Sequence, residues 1–324
     1  MLASIIIPTH NRNTILIPTV ESALAAIEGI DGEIIIVNDS KTEEVVLPWE
    51  RENVIIVRNP KSGAASARNY GAKNARGKYL FFLDDDMLLL PSSISTLLQL
   101  HQSHPRSCFN LNWILYPPIT EQIADSYFGK YLIHYGFTTL YGWYGLSEQW
   151  PQDQVISVSS IASCTLFIEK SIFYDIGGYE ESIPYAGFED YILSKKLRDA
   201  NVNMYVYSTI LAYHDESHQL NLESWLLRKS RGGATRAAAV MAGYEELSIR
   251  HSFLKRLFYL LAYYLDIKQY LLRIARWSEK AKVPLSLYFR IVNLLLGLYH
   301  FEGYYDYLQK HANQKEKKDI VHHI

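Results

Sequence analysis

The stretch Phe81-Phe82-Leu83-Asp84-Asp85-Asp86-Met87 places three carboxylates directly after an apolar run that begins at Tyr79. The apolar run predicts a buried strand. Adjacent like charges repel, so a strand has no structural reason of its own to end in three of them. If the strand geometry persists, Asp84 and Asp86 share a face and Asp85 points away. Two such carboxylates suit Mg²⁺ or Mn²⁺, although this segment alone fits a solvated acidic turn equally well.

The bulk composition describes a globular chain of one large domain or two smaller ones. Its 324 residues are 48% hydrophobic and 20% charged, and a formal net charge of −2 gives no overall attraction to nucleic acid. Cys108 and Cys164 have neither a metal-ligand spacing nor a disulfide framework, which is consistent with a reducing compartment. We expect neither a signal peptide nor a membrane-spanning helix, because no basic leader or long uninterrupted apolar stretch occurs.

Strand-like and helix-like segments alternate over the first hundred residues. The predicted strands are 3–7, 33–37, 53–57 and 78–83. The predicted helices are 14–27, 62–75 and 92–101. This alternation is typical of a parallel sheet with crossover helices, in which ligands bind beyond the carboxyl ends of the strands. Thr9-His10-Asn11-Arg12, Asn38-Asp39-Ser40 and the acidic triplet all fall at such ends.

The alternation of strand-like and helix-like segments ends after this region, and the sequence pattern changes again further along the chain. From about residue 107 it is less regular, with strands predicted at 163–168 and 203–207 and a helix at 189–199. The aromatic segment 126–150 gives no clear secondary-structure signal. From about residue 221, Leu, Tyr, Arg and Lys recur at helical spacing, which predicts a helical extension.

Seven motifs, in chain order, resemble the family 2 glycosyltransferases, which are inverting enzymes with the GT-A fold. They are SIIIPTHNR (4–12), EIIIVNDS (33–40), GAASARNYG (63–71), GKYLFFLDDD (77–86), GGYEE (177–181), GFEDY (187–191) and YH (213–214). The resemblance implies a GT-A-type, Rossmann-like α/β fold with a mostly parallel sheet flanked by helices. It would occupy residues 1–220, with a nucleotide-binding half at 1–106, an acceptor-binding half at 107–220 and a C-terminal helical extension at 221–324.

The resemblance assigns the acidic triplet to the donor and its metal. The triplet occupies the place of the family's DXD motif, in which Asp86 would ligate the metal and Asp84 would contact the ribose or a metal-bound water. His214 matches a histidine that completes the metal shell in some members, although a lone histidine is often structural. The implied cofactor is Mn²⁺ or Mg²⁺, which would neutralise charge on the departing diphosphate.

The implied nucleotide-sugar site is a set of residues that follow the strands or begin the second helix. They are Pro8, Thr9, Arg12, Asp39, Arg68, Asp84 and Asp85. Asp39 matches the carboxylate that reads the base or ribose, but the glycine that often follows is missing from Asn38-Asp39-Ser40-Lys41. Asp39 could instead cap its own turn, and Arg68 could be a solvated helix residue.

Glu189 and Asp190 form the implied catalytic centre. Inversion at the anomeric carbon needs one displacement and one base for the acceptor hydroxyl. The family places that base at the Asp of Glu-Asp, so we expect Asp190 to be the base and Glu189 to orient the acceptor or the helix. The alternative is that both acids merely favour a helix N-terminus.

Residues 250–282 combine Leu and Tyr with eight basic side chains and two acidic ones, a local excess of six positive charges. A basic amphipathic helix is typical of an element that lies on a membrane surface. We therefore expect residues 250–300 to contact anionic membrane, which would suit a lipid-linked acceptor. The alternatives are a helical appendage packed on the catalytic domain and a homodimer interface.

The expected function is transfer of a hexose-type sugar from a nucleotide-sugar, by family frequency a UDP-sugar, to a glycan or lipid-linked acceptor. The resemblance implies a role in polysaccharide biosynthesis, in the cytoplasm or at the inner face of the membrane. A sugar nucleotidyltransferase is one alternative, but it should have a Gly-rich phosphate loop where this chain has Pro8-Thr9-His10-Asn11. A non-catalytic carbohydrate-binding or scaffold protein is the other, and the joint presence of the site carboxylates and His214 argues against it.

Overall fold

The computed structural model describes residues 1–183, 187–217 and 220–311. It divides into two units by its internal packing. The first contains Met1–Gln122, Leu132–Glu181 and Glu189–Ser217, and the second contains Ile123–Tyr131 with the described parts of Ser182–Phe188 and His218–Ile324. Residues 312–324 of the expected C-terminal extension lie outside the described residues.

All strands within the described ranges join one mixed sheet in the first unit. They are β1 (Ala3–Thr9), β2 (Gly32–Asn38), β3 (Val54–Arg58), β4 (Tyr79–Leu83), β5 (Met87–Leu89), β6 (Ser107–Leu115), β7 (Val155–Ser157), β8 (Thr165–Glu169) and β9 (Asn203–His214). Their order is β3-β2-β1-β4-β8-β6-β9-β5, and β7 also pairs with β9. Neighbours from β3 to β4 are parallel, as are β6 and β9, whereas the other pairs are antiparallel. The expected α/β sheet is confirmed.

Some helices flank the sheet in the first unit, and others form the second unit. They are α1 (Asn13–Ala26), α2 (Ala64–Asn74), α3 (Ser93–Ser103), α4 (Pro117–Ile123), α5 (Tyr127–His134), α6 (Leu140–Trp143), α7 (Lys170–Asp175), α8 (Glu189–Asp199), α9 (Leu222–Met241), α10 (Phe253–Tyr264), α11 (Ile267–Lys280) and α12 (Leu285–His311). No helix in the described ranges is both long and apolar enough to cross a membrane.

The sheet buries both of its faces, which explains why its central strands are continuous apolar runs. In β1, Ile5 and Ile7 join one hydrophobic cluster and Ile6 joins the other. Leu16 of α1 packs into the first cluster, and Ala67 of α2 packs into the second. Alternate side chains of one strand therefore enter opposite layers, and the helices cover both.

Helix α2 approaches the sheet closely because it has a glycine at the contact. A Cβ atom at Gly71 would lie 2.3 Å from Ile6 Cγ2 and 3.0 Å from Val37 Cγ2. The absence of a side chain lets this helix carry Arg68 down onto the carboxyl ends of the strands.

In the second unit, α12 is the central packing partner. Its Phe301 stacks on Tyr259 of α10 with ring centroids 5.0 Å apart. A Cβ atom at Gly233 of α9 would lie 2.1 Å from the carbonyl oxygen of His300, so α9 and α12 cross with their backbones close together. The helical extension that the sequence predicts is therefore built on an aromatic core of its own.

Candidate active site

Strand register assembles the site at one edge of the sheet. Ile6 of β1 lies opposite Phe82 of β4, and Thr9, three residues after Ile6, donates a hydrogen bond to Asp85. Pro8 lies opposite Val37 of β2, and the amide of Asp39 donates to the carbonyl oxygen of Thr9 over 2.8 Å. The ends of β1, β2 and β4 thus meet, as expected for parallel strands.

The acidic triplet forms a turn rather than an extension of β4. The strand ends at Leu83, and the amide of Met87 donates to the carbonyl oxygen of Asp84 over 3.1 Å. The two-residue alternation of a strand therefore stops before the carboxylates. The carboxylates of Asp84 and Asp86 have different partners, Arg68 and His214, and the side chain of Asp85 points inward instead of away.

Asp85 is the buried anchor of this turn. Its carboxylate accepts hydrogen bonds from Thr9 Oγ1 over 2.7 Å and from Arg12 Nη1 over 2.9 Å. Thr19 Oγ1 donates to its backbone carbonyl oxygen over 2.8 Å. Burial, together with the charge of Asp86, raises the pKa of Asp85 to about 6. Thr9 and Arg12, expected at the nucleotide, thus hold the turn in place.

Asp86 lies beside His214 because β5 follows the turn immediately. Met87 of β5 lies opposite His214 of β9, and the amide of Asp215 donates to the carbonyl oxygen of Asp86 over 2.7 Å. His214 Nε2 lies 3.3 Å from Asp86 Oδ1 and 3.9 Å from Glu216 Oε1. Burial lowers the pKa of His214, but Asp86 and Glu216 outweigh burial and raise that pKa to about 9.

Asp86 and His214 are the side chains that could hold a divalent ion. The described residues contain no group of three or more His, Cys, Asp or Glu side chains arranged for a metal. An ion that takes most of its ligands from phosphate and water needs only one or two from the protein. The donor set fits Mg²⁺ or Mn²⁺ bound in that way, and the Asp84 carboxylate is paired with Arg68.

Arg68 connects Asp84 with the catalytic pair. Its side chain is 4% exposed, and it donates from Nη2 to Asp84 Oδ1 over 2.6 Å and from Nη1 to Glu189 Oε1 over 3.2 Å. Its guanidinium lies over the ring of Tyr179, 5.4 Å from the centroid. Arg68 is therefore not a solvated helix residue, and it joins two parts of the expected site.

Asp190 is the second residue of α8, and one of its carboxylate oxygens is held by Ser163. Its Oδ1 accepts a hydrogen bond from the amide of Ser163 over 3.0 Å and another from Ser163 Oγ. Burial raises the pKa of Asp190 to about 7, Glu189 adds to this rise, and Arg68 and Ser163 oppose it. A carboxyl group with this pKa can accept a proton near neutral pH.

Asp39 is held at the start of α2. Its Oδ2 accepts a hydrogen bond from the amide of Gly63 over 3.0 Å, and its Oδ1 accepts one from Asn59 Nδ2 over 2.6 Å. The local turn is made by Asn38 instead, whose Oδ1 accepts from the amide of Ser40 over 2.9 Å. The missing glycine is thus replaced by a side-chain turn.

Two further residues, Asn59 and Ser163, position site carboxylates and were not predicted from the sequence. Asn59 follows β3 directly, so the rule that ligand contacts follow parallel strands could have found it. Ser163 had no such signal, because it lies at the amino end of β8 and meets Asp190 only in the fold.

The chain is similar in sequence to known glycosyltransferases. The family model described as Glycosyl transferase family 2 matches residues 4–158. An "Uncharacterized glycosyltransferase" of Haemophilus influenzae is 29% identical over 220 residues, covering 65% of this chain and 67% of that protein. The "UDP-Glc:alpha-D-GlcNAc-diphosphoundecaprenol beta-1,3-glucosyltransferase WfaP" of Escherichia coli is 30% identical over 239 residues, covering 71% of this chain and 84% of that protein.

Among solved structures, "Crystal structure of GalNAc-T7 with UDP, GalNAc and Mn2+" aligns with 74% of this chain and 51% of its own, with 14% identity and a TM-score of 0.48. The sequence relationships carry the assignment. With 30% identity over 84% of a relative and a family match that covers the first motifs, the chain belongs to glycosyltransferase family 2.

Proposed function

We propose that this chain is an inverting, metal-dependent transferase that moves a sugar from a UDP-sugar to a hydroxyl of a glycan or lipid-linked acceptor. The observation that carries the proposal is the position of Asp190: Ser163 holds its Oδ1, and the neighbouring Glu189 is joined through Arg68 to Asp84 of the acidic triplet. The Escherichia coli relative supports the substrate classes, because its name gives UDP-Glc as donor and a diphosphoundecaprenol-linked acceptor.

Asp190 is proposed as the base of a single displacement. The acceptor oxygen attacks the anomeric carbon, the bond from that carbon to the diphosphate oxygen breaks, and Asp190 takes the hydroxyl proton. Ser163 holds Oδ1 of Asp190, while Oδ2 accepts no hydrogen bond from the described residues. Oδ2 is therefore the oxygen proposed to receive the proton, and Glu189 is proposed to position the helix through its ion pair with Arg68.

The donor is proposed to bind at the carboxyl ends of β1, β2 and β4. Asp86 and His214 would hold Mn²⁺ or Mg²⁺, and the bound ion would stabilise charge on the departing diphosphate. The partly exposed carboxylates Asp39 and Asp84 are proposed to contact the nucleoside. Four residues are proposed to form the inner wall of this donor pocket: Pro8, Thr9, Arg12 and Asp85.

A cytoplasmic reaction within polysaccharide biosynthesis is proposed on two grounds. Cys108 and Cys164 are both free, which agrees with a reducing compartment. A relative in Bacillus subtilis, 31% identical over 108 residues, is named a minor teichoic acid biosynthesis protein, and the name of the Escherichia coli relative gives a lipid-linked sugar as acceptor.

Replacement of the proposed base tests the reaction. With a UDP-sugar, Mn²⁺ and a diphosphate-lipid acceptor, Asp190→Asn should lower kcat by about a thousandfold. UDP affinity, measured by calorimetry with Mn²⁺ present, should stay within about twofold, since the proposed base does not hold the donor. Asp199→Asn, at the exposed end of the same helix, is the matched control and should keep full activity.

Full transfer by Asp190→Asn would remove Asp190 from the base role. The same assay separates the transferase from a scaffold protein that has kept the fold. A scaffold would bind UDP but would neither transfer the sugar nor release UDP from the donor in the presence of Mn²⁺.

A further inference from the structure

Helices α10 and α11 expose an unusual concentration of large apolar side chains. Of the 22 large hydrophobic residues that are exposed in the described ranges, 11 lie between residues 253 and 287. We define the α10–α11 surface by ten of them: Phe253, Leu254, Leu257, Phe258, Leu261, Tyr264, Leu265, Tyr270, Ile274 and Trp277. Single exposed apolar residues are ordinary, but a concentration of this kind marks an interaction surface.

None of these ten side chains belongs to the hydrophobic cluster built on α12, although the hydroxyl of Tyr264 shares a hydrogen bond with that of Tyr305 over 3.2 Å. On α10, the opposite face supplies the core contacts, since Tyr259, Leu260 and Tyr263 pack against the cluster built on α12. On α11, Leu272 and Ala275 are buried. Phe253 and Leu254 are 75% and 76% exposed, and Trp277 is 61% exposed. A helix that faces only water normally carries polar residues on its outer side.

Basic residues accompany the apolar ones. Lys255 lies on α10, Arg273 and Lys280 lie on α11, and all three are exposed. Within the described ranges none of the three forms an ion pair with a carboxylate, whereas Lys268 pairs with Glu302 and Arg276 pairs with Glu223. The surface thus combines apolar side chains with unneutralised positive charge.

We infer that the α10–α11 surface binds the interfacial layer of an anionic membrane. The Phe and Leu side chains would enter the boundary between headgroups and acyl chains, and Lys255, Arg273 and Lys280 would meet lipid phosphates. Tyr and Trp suit this layer because one end of each ring is apolar and the other is polar.

A second copy of the chain fits the same surface less well. Residues 250–282 hold eight basic and two acidic side chains, so a symmetric dimer through this surface would bring two positive excesses together. An anionic bilayer offers the opposite charge. The inference goes beyond the proposed transfer reaction and does not depend on Asp190 or on the donor site.

Vesicle flotation of the full chain tests the inference. We expect binding to phosphatidylcholine vesicles that contain phosphatidylglycerol, and little binding to phosphatidylcholine alone. Lys255→Gln/Arg273→Gln/Lys280→Gln should weaken the partition coefficient by about a hundredfold, from roughly fivefold for each basic side chain at the surface. Phe253→Ser/Leu257→Ser/Leu261→Ser should also weaken binding, because charge alone does not hold the helices.

The matched control is Arg51→Gln/Lys73→Gln/Lys78→Gln, which removes the same charge from exposed positions in the first unit. It should float like the unaltered protein. Absence of flotation by the unaltered protein, or equal weakening by the two triple-Gln variants, would overturn the inference.

A dimer in sedimentation that the Phe253 triple variant abolishes, with no flotation, would assign the surface to a second copy instead. Transfer to a water-soluble acceptor should be unchanged in all three variants, which separates this test from that of the proposed base.

Discussion

At the scale of single residues, burial raises the pKa of the proposed base Asp190, and the contact with Ser163 limits that rise. Ser163 donates to the ionised carboxylate and so opposes the rise in its pKa. Ser163→Ala should therefore move the acidic limb of the kcat/KM profile from near pH 7 to higher pH, by roughly one unit. Ser95→Ala, an exposed change on α3, should leave the limb in place. A limb that does not move in Ser163→Ala would mean that another group titrates.

The same carboxyl group lowers the stability of the fold at neutral pH. Its pKa is about 7 in the folded chain and about 4 when unfolded, so the folded state binds the extra proton between these values. Stability from this group is thus lost as pH rises from about 4 to about 7. We expect Asp190→Asn to melt above the unaltered protein at pH 8, and the difference to disappear near pH 4.5, in calorimetric scans. A melting difference that is independent of pH would contradict this account.

Arg68 neutralises two carboxylates at a buried position. Arg68→Met would leave Asp84 and the buried Glu189 without their shared cation, at a cost of about 3–5 kcal/mol in the free energy of unfolding. Urea unfolding should show this loss, and Glu189→Gln in the same chain should recover part of it. Arg51→Met, at an exposed arginine, should stay within about 0.5 kcal/mol.

At the scale of elements, the central strands could be predicted and the short edge strands could not. Strands predicted at 3–7, 33–37 and 78–83 are present as β1, β2 and β4, because a strand buried on both faces is a continuous apolar run. β5 and β7 have three residues each, too few for a periodic signal, and they exist by pairing with β9. The turn after Leu83 was one of two alternatives, but it was expected to be solvated, and Asp85 is buried in it because Thr9 and Arg12, distant in sequence, hold its carboxylate.

The close approach of α2 to the sheet can be tested by replacing two helix glycines, one crowded and one in open space. Gly71→Ala places a methyl group 2.3 Å from Ile6 Cγ2, so it should lower the free energy of unfolding by about 1–3 kcal/mol. Gly232→Ala in α9 meets nothing within 4 Å and should raise it by up to about 1 kcal/mol, since Ala is the better helix former. Denaturant midpoints of the two variants should move in opposite directions, and a shared direction would contradict the packing described for α2.

At the scale of the whole molecule, the two units are not two consecutive pieces of chain. The aromatic segment that the sequence left unassigned forms α5 and α6, and residues 123–131 group with the helical unit. Tyr131 is buried there, its ring 5.8 Å from that of Trp225, and it donates from its hydroxyl to Asn293 Oδ1 over 2.7 Å. Periodicity could not predict this, because the partners lie far along the chain.

A fragment that ends at residue 217 should therefore fold poorly, although it contains the whole sheet. It would expose Phe128 and Tyr131, whose ring contacts with Trp225 would be lost. We expect the fragment to aggregate or to melt without a cooperative transition by circular dichroism. Phe128→Ser/Tyr131→Ser in the fragment should improve its solubility. A cooperative, soluble fragment without these changes would show that residues 123–131 do not need the helical unit.

The pairing of β5 with β9 also indicates where residues can be inserted into the chain or removed from it. Met87 opposite His214 fixes the histidine next to Asp86 whatever the length of the chain between the two strands. Loops between them can grow or shrink without disturbing this corner. A single residue inserted within β9 before His214 would instead reverse the face to which every later side chain points, and would carry the imidazole away from Asp86. The loops between β5 and β9 can thus be lengthened or shortened in attempts to admit new acceptors. The number of residues in β9 before His214 must stay the same.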